Sequence, residues 1–255
     1  MVEDALDRFR LDGRVAIVTG ASSGLGERFA RVLSAAGAAV VVAARRGERI
    51  EALATDLRDA VAFVCDITDN TDLDALVAMT VDRFGRVDVL VNSAGAGTPI
   101  PAEDEPVDRF REVLEVNLVG AFALSQRVGR HMLDAGRGSI VNVASVLGVV
   151  GVGQMPFASY AASKGGLVNL TRELAAQWGR RGVRVNALAP AWFKSEMTAD
   201  MFADERSMDW LRRKTPMGRV PTADELDGPL LFLASDASSF VTGQVLLVDG
   251  GYTAV

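Results

Sequence analysis

A single cysteine, Cys65, leaves this chain of 255 residues without a partner for an intramolecular disulfide. The lone histidine, His131, removes the usual zinc ligands and the imidazole of a Ser-His-Asp triad. Neither metal ligation nor triad chemistry is therefore expected. Aromatic residues make up only 6%. The longest apolar stretch, Val146 to Phe157, is interrupted by Gly148, Gly151 and Gly153 and is too short to span a bilayer. Basic residues are outnumbered, 27 Lys and Arg against 33 Asp and Glu, and no basic stripe is visible, which argues against a nucleic-acid surface. Met1 to Arg10 is polar and acidic rather than a basic segment followed by an apolar one, so it does not read as a secretion signal. The expectation is a soluble, cytoplasmic protein with neither membrane nor nucleic acid as a partner.

What is abundant is small and apolar. Residues of apolar type reach 49%, and the richness in Gly, Ala and Val suits a parallel sheet buried on both faces. Short β-branched runs alternate with helical periodicity along most of the chain. Strands are expected at Val15 to Val18, Val40 to Ala43, Val61 to Cys65, Val87 to Val91, Ser139 to Val143, Val183 to Ala187 and Val245 to Val248. Helices are expected around 24–36, 48–58, 70–84, 107–134, 158–178 and 223–234. This rhythm predicts one α/β domain over 1–255, a doubly wound parallel sheet of seven strands with helices on both faces. Between Pro190 and Pro221 the rhythm breaks. Trp192, Phe193, Met197, Phe202 and Trp210 fall there among charges, in short helices that either face a ligand or cap the core.

The first strand runs into Thr19-Gly20-Ala21-Ser22-Ser23-Gly24-Leu25-Gly26, a turn that opens the next helix. Glycines there let the backbone approach a pyrophosphate, whose charge is met by unpaired N–H groups and the helix dipole. At the end of the second strand an NAD-binding protein would place a carboxylate, but Ala43-Ala44-Arg45-Arg46 stands here. A guanidinium at that point can pair with a 2′-phosphate, so NADP is favoured over NAD. The plain alternative is two solvated arginines starting a helix. Further along, Tyr160 and Lys164 stand four apart, on one face of a helix. A cation near a phenol favours phenolate and makes the pair a candidate acid/base.

With these residues in hand, the chain resembles the short-chain dehydrogenase/reductase family from about Leu11 to Tyr252. Its glycine turn, Asn92-Ser93-Ala94-Gly95, Cys65-Asp66-Ile67-Thr68, Asn117, Ser145, Tyr160 and Lys164 carry the likeness. Two departures are Pro190-Ala191 for the family's Pro-Gly and Ser195 for a frequent threonine. The resemblance implies a Rossmann fold and hydride transfer between a nicotinamide and a carbonyl or carbinol carbon. It implies that Gly20, Ser22, Ser23, Gly24, Leu25, Gly26, Arg45, Arg46, Asp66 and Ile67 bind the coenzyme, with Asn92, Ala94, Gly95, Pro190, Phe193 and Ser195. Tyr160 would move the substrate proton, Ser145 would bind the substrate oxygen, and Asn117 would anchor a water leading to Lys164. Lys164 would lower the tyrosine pKa and hold the nicotinamide ribose. Leu147, Trp192, Met197 and Phe202 would join Ser145 and Tyr160 at the substrate, favouring an apolar or ring-bearing carbonyl or alcohol.

Three alternatives stand beside this: a 3-oxoacyl thioester reductase, a dinucleotide-binding regulator without catalysis, and an epimerising or dehydrating relative. Family members are commonly tetramers, so a homotetramer or homodimer is expected.

Overall fold

Every residue of the first strand, β1 (Val15–Thr19), is buried, as a strand covered on both faces must be. The computed structural model describes residues 5–255, so the first four residues of the segment read as lacking a secretion signal lie outside it. Among the described residues six further strands join β1: β2 (Ala39–Ala44), β3 (Ala60–Val64), β4 (Val89–Asn92), β5 (Gly138–Val143), β6 (Val183–Pro190) and β7 (Val245–Val248). All pair in parallel, in the order β3-β2-β1-β4-β5-β6-β7. The order reverses between β1 and β4, and a doubly wound sheet opens its ligand crevice at such a point, beyond the carboxyl ends of the strands.

The pleat sorts side chains into two cores. Ala16 and Val18 enter one layer, with Phe29, Leu33, Val40, Val42 and Ile50, while Ile17 enters the other with Val41, Leu76, Leu90, Leu124 and Ile140. Helices α1 (Gly24–Ala35) and α2 (Gly47–Asp56) cover the first layer. Helix α3 (Asn70–Phe84) covers the second. It starts at Asp69, whose carboxylate accepts from the N–H groups of Thr71 and Asp72, and stops at Gly85 in the left-handed conformation. Phe29 is fully buried, so truncating it to alanine costs about 3–5 kcal/mol.

The long helix expected over 107–134 is divided. Helix α4 (Val107–Leu114) and helix α5 (Gly120–Asp134) are joined by a π-helical turn, Glu115–Val119, which carries Asn117. The π-helix is rare and occurs mostly as single turns inside α-helices, frequently at functional sites. Helix α6 (Ala158–Trp178) follows β5 and a short turn, and carries Tyr160 and Lys164. The excursion from the sheet holds a 3-10 turn, Glu196–Thr198, then α7 (Ala199–Ala203) and α8 (Glu205–Lys214). A 3-10 turn, Ala223–Leu226, leads into α9 (Asp227–Ala234) on the first layer. No helix among the described residues is long and apolar enough to cross a membrane.

Candidate active site

The turn after β1 is held by Thr19, whose hydroxyl accepts from the N–H groups of Ser93 and Ala94, each at 3.1 Å. This ties the turn to the loop after β4. Gly20 has φ +67°, and a Cβ there would come within 2.8 Å of the Ala94 backbone. Only glycine permits that approach. A Cβ on Gly26 would strike the Gly20 carbonyl oxygen, so the helix start and the turn interlock. Ser23 is the N-cap of α1, and the first N–H groups of the helix have no partner within it.

At the end of β2 the two arginines behave differently. Arg45 is exposed, and among the described residues its side chain makes no hydrogen bond. Arg46 folds back over the turn, donating to Ser22 Oγ (3.0 Å) and Ser23 Oγ (2.6 Å) and to the Glu196 carboxylate (3.0 Å). Beyond β3, hydrogen bonds from Thr68 hold the Asp66 carboxyl below the usual carboxylate range, with Arg45 adding to the effect.

Ser145, Tyr160 and Lys164 gather where α6 passes the end of β5. Ser145 is extended, buried, and accepts from Leu147 N–H at 3.2 Å. The turn behind it presses on α6, since a Cβ on Gly148 would lie 2.8 Å from the Lys164 carbonyl oxygen. Glu105 receives the N–H and hydroxyl of Ser159 and thereby fixes the first turn of α6. Lys164 Nζ donates to the Val143 carbonyl at 2.7 Å and sits 5.5 Å from the centre of the Tyr160 ring. Burial pushes the Tyr160 phenol above its ordinary value, opposed by its hydrogen bond with Ser145. Burial also lowers Lys164 to about 8. Ser145 favours the phenolate, while the Lys164 ammonium, beside the ring, is directed at the Val143 carbonyl.

Asn117, 1% exposed, accepts from Ala96 N–H at 2.7 Å, and its amide donates to Ala96 O (2.8 Å) and Ser163 Oγ (3.0 Å). It lies beside Lys164 across Gly95: a Cβ on Gly95 would be 3.5 Å from Asn117 Oδ1 and 3.7 Å from Lys164 Nζ. The asparagine thus bolts the loop after β4 to α6.

One cleft of about 1050 Å³ brings these parts together. Gly20, Ser22, Ser23, Gly24, Leu25, Gly26, Arg45, Arg46, Asp66 and Ile67 line it, as do Ala94, Gly95, Ser145, Tyr160, Lys164, Pro190, Phe193, Ser195 and Met197. Asn92 does not. Its amide donates to Ser125 Oγ and Asn142 Oδ1, both at 2.9 Å, because its side chain faces the second core layer rather than the cleft. Leu147, Trp192 and Phe202 are also absent from the cleft wall. They pack in a cluster with Met208 and Leu211 that also receives Phe157 and the Tyr160 ring, and there Trp192 meets the rings of Trp210 and Tyr252 edge-on at 6.3 and 6.5 Å.

Two residues outside the expected set matter. Gly97 allows the loop after β4 to lie against the Tyr160 ring, and Glu196 bridges Ser23, Arg46 and Arg49. Gly97 is one of the two glycines in Gly95-Ala96-Gly97 and carries no distinguishing signal, while Glu196 is marked only by its place beside Ser195.

A family model described as enoyl-(acyl carrier protein) reductase matches residues 20–253. D-threitol dehydrogenase of Mycolicibacterium smegmatis is 41% identical over 96% of this chain and 95% of its own. Cis-4-hydroxycyclohexanecarboxylate dehydrogenase of Sinomonas cyclohexanicum is 42% identical over 95% and 97%. The crystal structure of a gluconate 5-dehydrogenase from Burkholderia cenocepacia, in complex with NADP and tartrate, superposes with a TM-score of 0.94 at 41% identity, covering 98% of this chain and 99% of that one. Likeness of this extent in sequence and in structure leads to one assignment: the chain belongs to the short-chain dehydrogenase/reductase family.

Proposed function

We propose that the protein is an NADP(H)-dependent oxidoreductase that interconverts a secondary alcohol and a ketone, with Tyr160 as the acid/base. The observation that carries this reading is the single cleft joining the glycine turn, Arg45 and Arg46 at one end to Ser145, Tyr160 and Lys164 at the other. The cleft fits a dinucleotide because the glycine turn that opens α1 lies along it, with Gly20 packed so closely on the Ala94 backbone that a Cβ there would come within 2.8 Å. Ser22, Ser23 and the start of α1 would hold phosphates, Arg45 and Arg46 a 2′-phosphate, and Asp66 with Ile67 the adenine. When bound, the nicotinamide supplies or accepts the hydride.

The remaining work falls to the chain. In reduction Tyr160 gives its proton to the substrate oxygen, and in oxidation its phenolate takes one. A buried phenol kept above its ordinary value is protonated at neutral pH, which is the form the reducing direction requires. Ser145 hydrogen-bonds the same oxygen as charge builds there. Lys164 holds the ribose, and its depressed value lets it pass a proton near neutral pH. Asn117, Glu105 and Gly97 position the loop and helix that carry these groups.

The substrate side is bounded by Ser145, Tyr160 and Met197. The relatives' names span a polyol, a sugar acid and a ring-bearing hydroxy acid, which supports a secondary carbinol in a hydroxylated or ring-bearing molecule. Association is supported by exposed apolar residues on the elements the family uses for it, Val119 at the π turn, Phe122 on α5 and Leu247 on β7. On these grounds we propose a homotetramer or homodimer.

An absorbance assay of NADPH and NADH oxidation against cyclic ketones, keto-polyols, keto-sugar acids and acyl thioesters tests the reading. NADPH oxidation with one of the first three classes is the expected result. Turnover confined to acyl thioesters would favour the thioester reductase, and binding of NADPH without turnover on any class would favour a regulator.

A further inference from the structure

Glu196 is the residue that the proposed chemistry leaves without a task. It stands in the excursion after β6, next to Ser195, yet its carboxylate reaches across the mouth of the cleft to groups from three other elements. Ser23 Oγ, at the start of α1, donates to it at 3.0 Å. Arg46, at the end of β2, donates at 3.0 and 3.2 Å, and Arg49, one turn into α2, donates at 2.6 Å. These bonds hold the Glu196 carboxyl well below the usual carboxylate range, at about 2. Arg46 in turn spans Ser22 and Ser23, so one carboxylate closes a network over the glycine turn.

The geometry has an electrostatic meaning. A helix start, two serine hydroxyls and two guanidinium groups form a site for an anion, and the chain furnishes one from a segment about 150 residues away. The same Arg46 stands where the coenzyme reading puts a 2′-phosphate. A phosphate monoester carries nearly two negative charges at neutral pH, so it competes with Glu196 for Arg46 and is repelled by it. A coenzyme with a free 2′-hydroxyl does neither.

We infer that Glu196 is an internal anion that competes with the coenzyme 2′-phosphate for Arg46 and thereby sets how strongly NADP is preferred over NAD. The inference rests on the NADP reading of Arg45 and Arg46. Glu196 tempers the arginines rather than supporting them, so removing its charge sharpens the preference. Because the carboxylate is exposed, its exchange for an amide of the same shape leaves the core untouched.

Calorimetric titration of the full chain with 2′,5′-ADP and with 5′-AMP, in wild type, Glu196→Gln and Glu196→Asp, tests this. Both probes share the adenosine and the 5′-phosphate, and only the first carries a 2′-phosphate. Glu196→Gln is expected to tighten 2′,5′-ADP roughly tenfold and to change 5′-AMP by less than about twofold, with Glu196→Asp near wild type. Equal tightening of both probes would overturn the inference, because Glu196 would then oppose the shared 5′-phosphate. No change, or weaker 2′,5′-ADP binding, would overturn it too. Wild type binding both probes equally would sink the NADP reading as well, whereas a wild-type preference for 2′,5′-ADP unaffected by Glu196→Gln would sink the inference alone.

Discussion

Exchanging Gly97 for alanine would set a methyl group against the ring of Tyr160. The new Cβ would lie 2.7 Å from Tyr160 Cδ2, 3.3 Å from Cγ and 3.5 Å from Cβ. Ordinary contact begins near 3.4 Å, so ring or loop must give way by about 0.7 Å. The loop resists, because Ala96 next door is bound at both N–H and C=O by buried Asn117. The ring is packed against Phe157, at 5.8 Å between centres. Displacement therefore falls on the phenol, and misplacing a reacting group by about 1 Å costs on the order of a hundredfold. We expect kcat of Gly97→Ala to fall roughly 30- to 100-fold. Stability should fall by about 1–3 kcal/mol through overpacking against the ring, offset in part by about 0.4–1 kcal/mol because Gly97 has no positive φ and an alanine restricts the unfolded chain. Steady-state NADPH oxidation gives kcat, fluorescence quenching gives the NADPH Kd, and a thermal melt reports folding. A variant with normal melting and kcat within twofold of wild type would refute the reasoning, as would a loss traced wholly to NADPH binding.

Asn117→Ala should destabilise the fold by about 1–3 kcal/mol, since it strands buried backbone groups of Ala96, and urea unfolding measures it. Arg45→Gln should weaken NADPH by roughly tenfold or more while altering NADH far less, read from the two Kd values. Lys164 has a folded value of about 8, below its ordinary 10.5, so its buried charge costs stability at neutral pH and the cost fades as pH rises from about 8 past 10. Lys164→Met should accordingly lose about 2–3 kcal/mol of its stability relative to wild type between pH 7 and pH 10, in paired urea titrations.

Strand content was legible because a parallel sheet buried on both faces writes itself as apolar β-branched runs, and β1, β2 and β6 lie where such runs do. The glycine turn was legible for a steric reason, since no other residue tolerates the closeness of Gly20 to Ala94. The π turn at Asn117 was not. Its cause is a set of ties to Ala96 and Ser163, 21 and 46 residues away, which no local periodicity records. The place of Trp192 and Phe202 was not legible, because an apolar side chain outside the sheet does not say whether it faces a ligand or another side chain, and here both share a cluster with Tyr160. Asn92 misled for a related reason: a polar residue ending a buried strand can face a cleft or a buried network, and here Ser125 and Asn142 claim it. Glu196 depends wholly on a long-range approach to α1 and α2.

The claim beneath all of this is that Tyr160 moves the proton while the rest of the cleft holds the coenzyme. Tyr160→Phe removes the phenol oxygen and keeps the ring that packs against Gly97 and Phe157. Single-turnover oxidation of NADPH by this variant, beside its NADPH Kd, is the most direct test. The account predicts a Kd close to wild type and a rate lower by about a thousandfold or more. A rate near wild type with normal NADPH binding would contradict it.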